Sequence, residues 1–83
     1  MKKARSTVAR RELLLGALEK YAKTGDFELF TTAEWVLKRV VGCESNRTAD
    51  AQARMAPADV ARWNVARNAM FLHVVAHLEI STS

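Results

Sequence analysis

Residues 57–79, PADVARWNVARNAMFLHVVAHLE, decide how the whole chain is read. Proline at position 57 suits the first turn of a helix, where its missing N–H leaves no hydrogen bond unmade. Asp59 in the same turn complements the positive end of the helix dipole. From there the spacing is helical. One stripe carries Val60, Trp63, Met70, Phe71, Val74 and Leu78, with Val75 at its edge, and a second carries Ala58, Ala61, Val65, Ala69, Leu72 and Ala76. The polar face is narrow, with Asp59, Arg62, His73 and His77. A helix apolar around most of its circumference is central to a fold, set in a membrane or shared with another chain. The run from Phe71 to Ile80 also alternates, with Leu72, Val74, Ala76, Leu78 and Ile80 on one side, which is the period of a strand. Alanine, leucine and the lack of a turn residue favour the helix. A strand there would pair with residues 26–31 and produce a winged helix.

Working outward from that segment, residues 43–55 (CESNRTADAQARM) are polar and read as a loop with one helical turn after Thr48. Before it, Thr31-Thr32-Ala33-Glu34 has the form of a capping box, in which the threonine oxygen accepts a free backbone N–H and the glutamate reaches back to the cap. It predicts a helix ending at Gly42, with Ala33, Val36, Leu37, Val40 and Val41 on its apolar face. Trp35 falls off that face, one turn before Arg39: it packs under residues 27–30 with the guanidinium stacked over its ring, or else it is a contact residue. Residues 26–31 (DFELFT) alternate over a few positions and fit a short strand or an extended connector. Thr7 to Lys23 forms another helix, whose arc of Leu14, Leu18, Tyr21 and Ala17, widened by Val8, Leu15, Ala22 and Leu13, is broad enough for two neighbours. Gly25 closes it. The chain thus reads as an all-α three-helix domain over residues 7–80, with a flexible arm at 1–6 and a tail at 81–83.

With 83 residues the chain forms one small domain. Such a domain buries only about 60–65% of the surface of its unfolded chain and often draws stability from a partner. Cys43 is the single cysteine, so no internal disulfide forms, and a lone thiol fits the cytoplasm. No run approaches the ~20 apolar residues of a membrane span. The net charge of +4 is uneven: Lys2, Lys3, Arg5, Arg10 and Arg11 bring +5 without an acid, residues 12–37 carry −3, and the rest carries +2. A basic arm of this kind suits phosphate or an acidic protein surface.

Catalytic patterns are missing. Gly16, Gly25 and Gly42 are isolated, so there is no phosphate loop, and no nucleophile–base set is visible. His73 and His77 stand one helical turn apart, but no Glu follows the first as in zinc proteases, and a structural zinc would need two further ligands. They read as histidines on a polar or interfacial stripe; no cofactor and no metal is expected.

Two resemblances add to this reading. Thr31 to Gly42 (TTAEWVLKRVVG) resembles the second helix of helix-turn-helix and winged-helix proteins, which implies a DNA-binding regulator whose arm and Lys38, Arg39 and Arg47 contact phosphates. In that family a tight turn leads into a recognition helix, whereas here about 13 polar residues intervene. The short length, the eight Arg against five Lys, the arm MKKARSTVARR and the absence of a catalytic set resemble the small early proteins of transposable bacteriophages, among them anti-CRISPR and twitching-inhibitory proteins. That likeness implies a phage protein that blocks a larger complex in the host cytoplasm by occupying a functional surface.

The expectation is therefore a non-enzymatic binding protein. Its partner is a host protein or complex or a second copy of itself, and nucleic acid is the alternative. Trp35, Arg39, Arg62, Trp63, Arg67 and Phe71 are the contact candidates, since tryptophan and arginine are over-represented among residues that carry binding energy. The physical basis is an excess of apolar surface on the last helix. The alanine-rich stripe is expected to be an interface.

Overall fold

The computed structural model describes residues 7–82. They form four helices, α1 (Thr7–Thr24), α2 (Phe27–Val40), α3 (Thr48–Gln52) and α4 (Pro57–Thr82), and no strand occurs among the described residues.

The core is assembled by residues three and four apart on three of these helices. Leu15, Leu18 and Ala22 of α1, Phe30, Ala33 and Leu37 of α2, and Trp63, Ala66 and Met70 of α4 are all buried, with Cys43 and Ala51 closing one end. Fully burying a side chain the size of Leu15, Leu18 or Leu37 contributes roughly 1.5–3 kcal/mol, so these few contacts dominate the stability of so small a domain. Helix α1 packs against both α2 and α4, as its wide apolar arc demands. The centre of the arc falls on Leu15 and Leu18, while Val8 and Leu13 stay exposed.

Side-chain pairs give the helix directions. Arg62 meets Glu12 and Glu19, and Gly25 lies against His73, so α1 and α4 run the same way. Glu34 meets Trp63 and Arg67, while Phe27 shares a cleft with Val74, so α2 runs opposite to both.

The reversal between α1 and α2 is tight. Gly25 has φ +76°, and the Asp26 N–H bonds Tyr21 O at 3.0 Å, satisfying a carbonyl at the end of α1. Asp26 then caps α2, its carboxylate accepting the Leu29 N–H at 3.1 Å. This overturns two expectations. Residues 26–31 are neither strand nor connector, because their backbone enters the helical ladder at once (Phe30 N–H to Asp26 O, 3.0 Å). The helix also does not begin at a Thr31/Thr32 capping box: Thr31 lies inside it, its hydroxyl bonded back to Glu28 O at 3.0 Å. Aspartate after a glycine is at least as good a cap, and starting the helix at Asp26, ahead of both threonines, lets Phe30 join Ala33 and Leu37 in the core.

At the other end of α2, Gly42 (φ +83°) donates to Arg39 O and Cys43 N–H to Lys38 O, again ending a helix through a left-handed glycine. The loop that follows is pinned by Lys38 Nζ on Asn46 O (3.2 Å) and by Ser45 Oγ on Asp50 (2.7 Å). The single turn expected after Thr48 is α3. The strand-like alternation of residues 71–80 belongs to α4, which continues through it to Thr82. With helix at both 27–31 and 71–80, the winged-helix alternative has no sheet to build.

Candidate docking surface

Helix α4 is longer than its supports. The turn at Gly25 stands level with His73: a Cβ on Gly25 would come within 3.1 Å of His73 Nδ1. Beyond Val74, which still packs against the core, only Phe27 in the first turn of α2 stands near α4. Before that point only one side of α4 faces the core. The result is a broad exposed arc in which Val65 and Leu72 are each 67% exposed and Phe71 is 63% exposed, with Leu78, Ala58, Ala61 and Ala76 also open. The polar residues on this arc, Asn64 and Asn68, are neutral. The alanine-rich stripe of the sequence thus faces outward. The bulkier stripe divides, Trp63 and Met70 going inward and Phe71 and Leu78 outward.

Two clefts flank the arc on the α2 side. One, of about 290 Å³, lies between α2 and α4 and is lined by Phe27, Phe30, Thr31, Arg67, Phe71 and Val74. The other, of about 610 Å³, sits under the α1–α2 turn, where Gly25, Phe27, His73, His77 and Leu78 meet. Phe27 belongs to both and is exposed. Trp35 stands one turn beyond Thr31 on α2, 48% exposed, with the Arg39 guanidinium 5.0 Å from its ring centre. The stacking inferred from sequence is present, but the expected packing under residues 27–30 is not, because those residues belong to the same helix and leave the indole half exposed.

Three of the expected contact residues have structural duties. Trp63 is fully buried and donates its indole N–H to Glu34 Oε2 at 2.7 Å, so it is removed from the contact surface. Its position on α4 opposite α1 and α2 places the largest side chain of the segment at the centre of the core. Arg62 is a strut between helices. Its Nε and one terminal nitrogen each lie 2.9 Å from Glu19 oxygens, and its other terminal nitrogen bridges both oxygens of Glu12. The hydrogen bonds from Arg62 hold the Glu19 carboxyl below its ordinary range, against a smaller opposing effect of burial. The same two carboxylates raise Arg62 further above its ordinary value. Arg67 donates to Glu34 (2.9 Å) and Thr48 (3.2 Å), yet its side chain stays 44% exposed at the edge of the smaller cleft. Of the six candidates, Phe71 and Arg67 share the smaller cleft, Trp35 and Arg39 lie beside it on α2, and Arg62 and Trp63 belong to the fold.

From sequence Glu34 reads as the glutamate of a capping box, but Asp26 caps α2 and the Glu34 carboxylate lies in the core instead. It is buried with Phe30 and Leu37, at i−4 and i+3, and its carboxylate ties Trp63 and Arg67 to α2. The signal for it is a glutamate next in sequence to a buried alanine. Phe27 was also overlooked, because it was placed in a connector.

The expected basic arm gives only two described side chains. Arg10 is exposed on α1; Arg11 is half-buried, and its Nε has no hydrogen-bond partner among the described residues. Lys2, Lys3 and Arg5 lie outside the described residues. In the place of a recognition helix stands α3, only five residues long.

His73 and His77 are exposed on the rim of the larger cleft, and no group of three or more His, Cys, Asp or Glu among the described residues is arranged to hold a metal ion. The buried Cys43 thiol lies 3.4 Å from Ser45 Oγ, a hydrogen bond that lowers its pKa more than burial raises it. No helix among the described residues is long and apolar enough to cross a membrane. The chain matches no protein-family model, no curated protein and no solved structure at significant similarity.

Proposed function

We propose that this chain is a non-enzymatic binding protein that modulates a larger host protein by covering part of its surface, with the α2 side of α4 as the contact. The single observation that carries this reading is the set of large apolar side chains left open beside a cleft: Phe27, Trp35, Phe71 and Leu78. Each is about half exposed, so docking would recover roughly half of the 1.5–3 kcal/mol that full burial of such a side chain contributes, or about 3–6 kcal/mol in all. Association itself costs about 4–15 kcal/mol, so apolar burial alone does not hold a partner. The remainder is assigned to polar contacts at the rim, where Arg67 and Arg39 are suited to carboxylates on the partner. The resemblance to small early phage proteins supplies the class of partner, host machinery in the cytoplasm, and the basic N-terminal residues would hasten encounter with an acidic surface.

The test is affinity purification from bacterial lysate, with and without nuclease, using the wild-type chain beside Phe71→Glu and Trp35→Ala. A protein recovered by the wild type in both conditions and lost with Phe71→Glu supports the reading. Recovery that depends on nucleic acid, or that is the same for all three baits, refutes it. The first of those outcomes would return the DNA-regulator alternative.

A further inference from the structure

We propose that His73 and His77 form a two-imidazole site for a divalent transition-metal ion of the nickel, zinc or copper class, with the rest of the coordination shell left to water. The two residues stand one turn apart on α4, and residues at i and i+4 of a helix lie on one face with Cβ atoms about 6 Å apart. That spacing lets two imidazoles reach one ion at the usual metal–nitrogen distance of about 2.0–2.1 Å. Both side chains are exposed, and both line the cleft of about 610 Å³ under the α1–α2 turn. The expectation of no metal rests on the four protein ligands of a structural zinc, and an ion that keeps its waters needs fewer.

The cleft is arranged to favour a cation between these rings. Gly25 has φ +76°, and a Cβ at that position would lie 3.1 Å from His73 Nδ1 and 3.3 Å from its Cγ. The glycine thus lets the His73 imidazole rest against the turn. One of the two ligands is held before the ion arrives, which lowers the entropic cost of binding. With Nδ1 toward the turn, Nε2 on the other edge of the ring is the coordinating atom. Neither imidazole has a hydrogen-bond partner among the described residues, so no bond must be given up. No Lys, Arg, Asp or Glu lines the cleft, so no fixed cation there repels the ion. Thr24 brings the carboxyl end of α1 into the lining, and positive charge is favoured at that end of a helix. The opposite pole, at the start of α2, is covered by the Asp26 carboxylate, which accepts the Leu29 N–H.

Ligand chemistry sets the class of ion. Imidazole suits zinc, copper and nickel, whereas magnesium and calcium take oxygen ligands. Since no group of three or more His, Cys, Asp or Glu among the described residues gathers here, the ion is held weakly, exchanges readily and keeps open positions. The pair also spans a boundary in α4. Val74, between the two histidines in sequence, packs against the core, while His77 lies past the last core contact of the helix. An ion bound to both therefore ties the unsupported turn of α4 to the supported one. The inference is independent of the host-partner reading, because the ion binds the free chain.

Isothermal titration of the untagged full chain with nickel chloride, repeated with zinc chloride, is the first test. The wild type binds one ion per chain, saturating below about 1 mM, and His73→Ala and His77→Ala each weaken binding by about tenfold or more. Both histidines are exposed, so the helical circular dichroism of these variants is unchanged. The double variant His77→Ala with Leu78→His keeps two imidazoles but moves the second about 100° around the helix, and it binds no better than His77→Ala alone. Deuterium exchange is the second test: nickel slows exchange at residues 75–78, and magnesium does not. The proposal is overturned by the absence of saturable nickel or zinc binding below about 1 mM, or by binding of wild-type strength in either single variant or in the double variant. Exchange at residues 75–78 that is as fast with nickel as without it overturns it too. Capture of a host protein by the metal-free chain tests the proposed function separately and is untouched by any of these results.

Discussion

Replacing Glu34 by alanine should unfold this protein at a much lower temperature, although the residue is a carboxylate in a predominantly apolar core. Its Oε2 accepts the indole N–H of Trp63 at 2.7 Å and an Arg67 N–H at 2.9 Å. Trp63 is wholly enclosed, and Glu34 is the acceptor the fold supplies for its indole N–H. An unsatisfied buried donor costs about 1–3 kcal/mol, and a hydrogen bond to a charged group contributes about 1.5–3 kcal/mol. Arg67 is exposed enough to recover solvation, which trims the second figure, so Glu34→Ala should cost about 2–4 kcal/mol. A domain of this length has roughly 4–12 kcal/mol in total. At about 4–8 °C per kcal/mol, Tm should fall by on the order of 10–25 °C. Glu34→Gln keeps an acceptor for the indole and should lose only about 1 kcal/mol. The double variant Glu34→Leu with Trp63→Phe removes donor and acceptor together and should be less destabilised than Glu34→Ala. Urea denaturation of these proteins measures this, and the single variants Glu34→Leu and Trp63→Phe complete a double-mutant cycle for the pair. If Glu34→Ala lies within about 0.5 kcal/mol of the wild type, the reasoning fails, since that is the range of ordinary surface substitutions.

The Glu19–Arg62 pair should leave a signature in acid. The folded-state pKa of Glu19 is depressed below its ordinary 4.5, so its contribution is complete above that value and is lost as pH falls through the folded one. Urea midpoints measured from pH 6 down to about pH 2 should therefore fall less steeply in Arg62→Ala than in the wild type, and parallel curves would contradict this. Gly25→Ala should destabilise by about 1–2 kcal/mol, because φ is +76° and the new Cβ would press on His73 Nδ1. Combining it with His73→Ala should recover only the steric part. Phe71→Glu should leave stability within about 0.5 kcal/mol of the wild type while abolishing partner capture; a large loss of Tm would show that Phe71 belongs to the core.

The long helix was legible in the sequence because Pro57, Asp59 and a regular apolar period agree over two dozen residues. What the period could not show was which way the helix faces. Both of its stripes are apolar, and the choice is made by Trp63, whose indole finds an acceptor only on α2. Nor could it show that the bulky stripe would divide: Met70 and Val74 reach the core, while Phe71, about 100° around the helix from Met70, faces out. The start of α2 was misread for a local reason. Phe27-Glu28-Leu29 satisfies both a two-residue and a three-to-four-residue period, and Thr31-Thr32 imitates a cap that Asp26 already supplies. Among the contact residues, Trp35 with Arg39 was legible because it depends on neighbours within one helix. Arg62 was misjudged because its carboxylate partners are 43 and 50 positions away.

The unequal lengths of the helices also set a timetable for solvent. Amide protons near Trp63, Ala66 and Met70 sit where α4 is backed by other helices, and they should exchange for deuterium only when the whole domain opens. Those from Val75 to Leu78 lie past the last core contact of α4 and should exchange through local openings, well ahead of the rest. The same stretch should therefore slow most when a binding molecule clasps it. Peptide-level exchange would then locate the footprint of a bound molecule before that molecule is identified.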